Sequence, residues 1–225
     1  MTENKSDYDN SEDGVISNLK TGYWAAIVNF ILGVIFLAVV AASFISLKGT
    51  PVGTYLTLVS VATLLGAVAM VFLWSAVYIC TPQSRKIFSL CSLAMITILA
   101  ALTCITRIVQ ISLVPQALDA GKTDGLSWFL VYGELSVMAD IEVLAWGGFL
   151  GLAMLFLSPV FRKRKLERTL FWTLITSGSL CLIAVVGKLV SMPALIFVGL
   201  LGWGLGLTIV FGLMVFWFRE KLKQK

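Results

Sequence analysis

The sequence predicts an all-α polytopic membrane protein: a bundle of six transmembrane helices with the N-terminus and C-terminus both cytosolic. Three observations carry that expectation. First, residues 21–47, 49–84 and 189–218 contain no Asp, Glu, Lys or Arg, and three further charge-free stretches (87–106, 143–161 and 169–187) run for 19 or 20 residues each. A hydrocarbon core of about 30 Å takes about 20 mostly apolar residues of helix to cross, so six crossings fit. Second, 59% of the 225 residues are apolar and 13% are charged, with a mean hydropathy of +0.95. A soluble domain carries about 25% charged residues, so this composition cannot clothe a surface that faces water. Third, 13 of the 17 Lys and Arg fall in the tails and alternate connections. That asymmetry is the positive-inside signature, and it argues against reading the net charge of +5 as a nucleic-acid footprint.

The class then dictates the elements. Backbone N–H and C=O groups in lipid must be satisfied within the protein, which leaves helices or a closed barrel. Long unbroken apolar runs, without short alternating segments, select helices. Residues 1–20 hold five acids against two lysines and are expected to be a disordered acidic cytosolic tail. No basic stretch precedes the first apolar run, which is longer than the hydrophobic segment of a signal peptide and reads as an uncleaved anchor. The membrane domain, 21–218, carries spans at 23–47, 54–80, 88–113, 136–158, 169–190 and 193–217, and a basic cytosolic tail occupies 219–225. Pro51, Pro82, Pro115, Pro159 and Pro193 fall between these spans or at their ends, where a missing N–H costs least. The spacing predicts tight hairpins of first with second, third with fourth and fifth with sixth.

Orientation follows from the basic residues. Lys5, Lys20, Arg85, Lys86, Arg162, Lys163, Arg164, Lys165, Arg168, Arg219, Lys221, Lys223 and Lys225 lie on the side taken as inside, whereas the outer connections hold only Lys48 and Lys122. Tyr23, Trp24, Trp74, Tyr78, Trp172 and Trp217 are expected at the inner interface, and Tyr55, Trp128 and Tyr132 at the outer one. The expected compartment is the cytoplasmic (plasma) membrane. In the long outer connection, 119–125 is a turn cluster, and 126–135 either lies along the interface or extends the fourth span.

Few polar groups enter the spans. Arg107 and Gln110 form an i, i+3 stripe on the third with Thr103 a turn before, Asp140 and Glu142 stand on the fourth, and Lys188 on the fifth. At 1.5 Å per residue from the inner ends, Arg107 and Lys188 reach about 29–30 Å and the two acids about 24–27 Å, one shared outer layer. Arg107, Gln110, Asp140, Glu142 and Lys188 therefore make a candidate ion-pair or solute-binding cluster linking three helices. Asp140 and Glu142 sit about 200° apart around their helix, so both cannot face Arg107.

Gly147 and Gly151 share a face of the fourth span, and Gly199, Gly202 and Gly206 a face of the sixth; small residues at such spacing let helices approach closely. The run Arg162, Lys163, Arg164 and Lys165 is a topology determinant that also suits anionic lipid headgroups.

The sequence contains no His, and Cys80, Cys91, Cys104 and Cys181 show no C-x-x-C spacing. Imidazole-based metal or haem sites are excluded, the cysteines read as small hydrophobes, and no cofactor is expected. No H-E-x-x-H, G-x-S-x-G or P-loop occurs, so catalysis is not expected. Two roles compete: a non-catalytic structural or regulatory membrane component held by an outer-leaflet charge clasp, and a small-solute or proton-coupled permease with an outward-facing polar vestibule. All the intramembrane charges lie near the rim and none at the midplane, which favours the first.

Overall fold

The computed structural model describes residues 5–45, 52–131 and 136–224. Met1, Thr2, Glu3, Asn4 and Lys225 of the expected tails lie outside the described residues, as do Lys48, Pro51, Tyr132 and the side chain of Tyr55.

The described residues contain no strand. Among them, six helices are long and apolar enough to cross a membrane: Gly14–Ala42, Thr57–Cys80, Gln83–Asp119, Val137–Val160, Lys165–Leu189 and Pro193–Leu222. The first and second belong to α1 (Lys5–Ile45) and α2 (Val52–Cys80). The third joins α3 (Lys86–Ile108) to α4 (Val114–Asp119) through a π-helical segment, Val109–Leu113. The fourth joins α5 (Val137–Glu142) to α6 (Leu150–Leu157) through a second, Val143–Phe149. The fifth is α7 (Lys165–Leu189), and the sixth joins α8 (Pro193–Leu200) to α9 (Leu207–Leu222) through a third, Leu201–Gly206.

The three hairpins form, and they are part of a larger closure. Each span packs on the next in chain order, and α9 returns to α1, closing a ring of six. Inside it Trp74, Phe161, Phe218, Met70, Met154 and Leu157 are fully buried. Leu65, Phe72, Ile105, Leu144, Phe197 and Leu201 point outward from their helices and are exposed. Such a rim of large apolar side chains suits a hydrocarbon medium, since soluble monomers rarely expose contiguous apolar area on this scale.

Three differences from the sequence expectation have local causes. The acidic segment 5–20 is helical and continuous with the first span. Leu19 is buried and Gly22 lies against Phe218, which anchors the helix near its start; extension from an existing helix avoids the nucleation cost. Trp74, expected at an interface, is a core residue: its Nε1 donates to Ser92 Oγ at 2.7 Å, and Ser92 Oγ donates to the Ala153 carbonyl at 2.6 Å. Satisfying the indole N–H removes its reason to reach water. Trp217 is also buried, donating to Glu167, whereas Trp24 and Trp172 are exposed. Pro115 lies inside the third span at the head of α4, directly after the Val109–Leu113 π segment. A proline has no N–H to donate, and the wide turn before it already departs from the i→i−4 ladder.

Candidate functional site

The helix pattern on α3 brings its polar groups inward. Ser89, Ser92, Ile96, Leu99, Thr103 and Thr106 are buried at spacings of three and four, and Arg107 continues that stripe. On α5, Ser136 caps the first turn by accepting from the Ala139 N–H at 3.3 Å, and Glu142 falls on the buried side while Asp140 faces out.

Two separate ion pairs result. Arg107 Nη2 lies 3.0 Å from Glu142 Oε2, with both side chains almost completely enclosed. Thr106 Oγ1 donates to the other carboxylate oxygen, Oε1, at 2.7 Å. The second pair, Lys188 Nζ to Asp140 Oδ1 at 2.6 Å, is less enclosed, with Asp140 exposed and Lys188 half-buried. One pair ties the third span to the fourth, and the other ties the fourth to the fifth. Gln110 joins neither. Its Nε2 donates to the Phe129 carbonyl and its Oε1 accepts from the Val131 N–H at 3.3 Å. Its amide thereby pins the connection between the third and fourth spans, where Gly121 and Gly125 supply left-handed turns and Leu126–Phe129 forms a 3-10 turn. The backbone is extended at Leu130, so 126–129 does not continue the fourth helix; 132–135 lie outside the described residues.

The buried pair sits where the winding changes on both helices. Arg107 is two residues before the π segment Val109–Leu113, and Glu142 immediately precedes Val143–Phe149. Single π turns in α-helices recur at functional sites. Among the described residues, three buried polar atoms have no protein hydrogen-bond partner: Thr103 Oγ1, Arg107 Nε and Trp146 Nε1. Each such atom costs about 1–3 kcal/mol.

The candidate packing glycines converge on α7. A Cβ on Gly151 would lie 3.0 Å from the Gly178 carbonyl oxygen, and one on Gly178 would lie 2.9 Å from that of Gly151. A Cβ on Gly147 would meet Val185 at 2.9 Å, and one on Gly202 would meet the Ser177 carbonyl oxygen at 2.7 Å. Gly199 abuts Ala184, and Gly206 abuts Ser177. The fifth span is thus gripped between two side-chain-free faces.

At the other end, which carries the helix start of α1 and the last turn of α9, the basic run divides. Lys163 and Arg164 line a pocket together with Arg85 and Lys221. Arg162 stacks instead over the Phe171 ring, 5.3 Å from its centroid.

Sequence reasoning misses Thr106, because one residue from Arg107 means about 100° around the helix. It also misses Gly178, which shows no small-residue partner at i±4 on its own helix. Among the described residues no three His, Cys, Asp or Glu side chains gather closely enough to hold a metal. Comparison with known protein families, curated proteins and solved structures returns no match.

Proposed function

We propose that this chain is a non-catalytic membrane component, structural or regulatory, whose charged outer layer is a clasp holding the third, fourth and fifth spans in register. The observation that carries the reading is that each charge of this layer has a partner: Arg107 pairs with Glu142, and Lys188 with Asp140. Gln110 is likewise occupied by the outer connection. The test is thermal unfolding of the detergent-solubilised protein. Removing one member of a buried ion pair strands the other and costs about 3–5 kcal/mol, whereas replacing both by apolar groups is often neutral. Arg107→Ala is therefore expected to lower the midpoint sharply, and Arg107→Met combined with Glu142→Met to recover most of it. Normal melting of Arg107→Ala would remove the clasp.

A small-solute or proton-coupled permease is the second reading, favoured by Thr103 Oγ1, Arg107 Nε and Trp146 Nε1. Donors and acceptors of this kind can hold a polar solute in an otherwise apolar setting. That reading expects Arg107→Lys to melt normally while abolishing ion or solute flux in proteoliposomes.

A further inference from the structure

We infer that the pocket at the basic end is a binding site for a phosphate anion, carried either by the headgroup of an anionic lipid or by a small soluble phosphate. The pocket encloses about 170 Å³ between the second, fourth, fifth and sixth spans. Arg85 enters from the turn after α2, Lys163 and Arg164 from the turn before α7, and Lys221 from the last turn of α9. These are four cations from three separate chain segments. Glu167 and Glu220 are the two acids of the wall, so the lining carries a net charge of +2.

The arrangement leaves that charge available. Glu167 is turned to its own helix start: Oε2 accepts from the Lys163 and Arg164 N–H groups at 2.8 and 3.3 Å, and Oε1 lies 3.4 Å from Trp217 Nε1. Among the described residues, none of the four cations is ion-paired with a carboxylate. Two are held in place by neutral acceptors instead. Arg85 Nη1 donates to the Val160 carbonyl at 3.1 Å, and Arg164 Nη2 donates to Gln224 Oε1 at 3.2 Å. Lys221 lies over the Trp217 ring, 4.7 Å from its centroid. Each guanidinium retains further N–H donors, and both lysine ammoniums are free of protein acceptors among the described residues. Guanidinium forks beside ammonium groups are the chemistry that recognises phosphate oxygens. Basic pockets between membrane helices hold lipid headgroups in this way.

The test uses the full chain in a neutral detergent. Dioctanoyl phosphatidylglycerol, dioctanoyl phosphatidylcholine, inorganic phosphate and glycerol 3-phosphate are titrated separately, with the thermal midpoint as readout. A saturable rise is expected with phosphatidylglycerol and none with phosphatidylcholine. Lys163→Gln combined with Lys221→Gln removes no protein hydrogen bond and is expected to weaken binding about tenfold or more, whereas Arg162→Gln with Arg168→Gln, the same charge removed outside the pocket, should change it less than about twofold. If inorganic phosphate or glycerol 3-phosphate matches phosphatidylglycerol, with the same dependence on Lys163 and Lys221, the site stands and its occupant is a soluble phosphate. Equal losses in the two double variants would reduce the effect to diffuse surface charge and overturn the site. Failure of every phosphate-bearing probe to raise the midpoint above phosphatidylcholine would overturn it as well.

Discussion

The buried residues most exposed to mutational damage are polar ones whose partners lie on other helices. Ser92 relays between the second and fourth spans, accepting from Trp74 Nε1 and donating to the Ala153 carbonyl. Ser92→Ala deletes a single oxygen, yet it leaves a buried indole N–H without an acceptor and frees a helix carbonyl. The expected loss is about 1–3 kcal/mol, read as a lowered midpoint in detergent. Thr97→Ala, on the exposed side of the same helix, should cost no more than about 0.5 kcal/mol. Arg107 and Glu142 follow the same logic at higher stakes. That these charges share a layer was legible from counting residues along each span. Which acid meets which base was not, because helix periodicity separates Asp140 from Glu142 without saying how the helix is turned. The structure has Glu142 inward and Asp140 on Lys188.

At the scale of the helix, glycine matters where another backbone fills the space of its missing side chain. Gly202 packs against the Ser177 carbonyl, whereas a Cβ at Gly66 would meet nothing nearer than Leu32 at 3.9 Å. Gly202→Ala is therefore expected to destabilise by forcing α7 away. Gly66→Ala should stabilise by about 0.5–1 kcal/mol through helix propensity alone. Thermal midpoints of the two variants in one detergent give the comparison. The sequence marks both as helical glycines, and only the packing tells them apart. The start of α1 was hidden for a related reason: the acidic composition of 5–20 speaks for solvation, while continuity with an anchored helix governs its backbone. Two of the π segments, VLAWGGF and LGWGLG, share a Trp-Gly pair, but the third, VQISL, has neither residue, so composition does not mark them as a class.

For the whole molecule, the number of spans was legible because the bilayer demands a length and a polarity that the chain displays directly, whereas the start of the first and the end of the third were not. Ring closure was not, since lipid-facing and ring-facing apolar residues look alike in sequence. Gly33 of the first span against Thr208 of the sixth completes that closure. Six helices in alternation put the start of α1 and the last turn of α9 at one end of the bundle and Asp119 at the other. Cysteines introduced singly at Asp119 and Lys223, in a background with the native cysteines replaced, should therefore react with a membrane-impermeant maleimide from opposite faces of sealed vesicles. Labelling of both from one face would contradict an even number of crossings.

The wide turn Val143–Phe149 keeps the helix in phase around one extra residue. Ahead of it Glu142 addresses the third span; behind it Gly151 addresses the fifth. Wound as ordinary α-helix, the same segment would turn roughly 100° further and swing the carboxylate off its guanidinium. Excising one residue there would let ordinary winding resume with both contacts in place, and the deletion should melt well above Glu142→Ala in detergent. A surplus residue, invisible to hydropathy, is thus absorbed without turning one rod away from either neighbour.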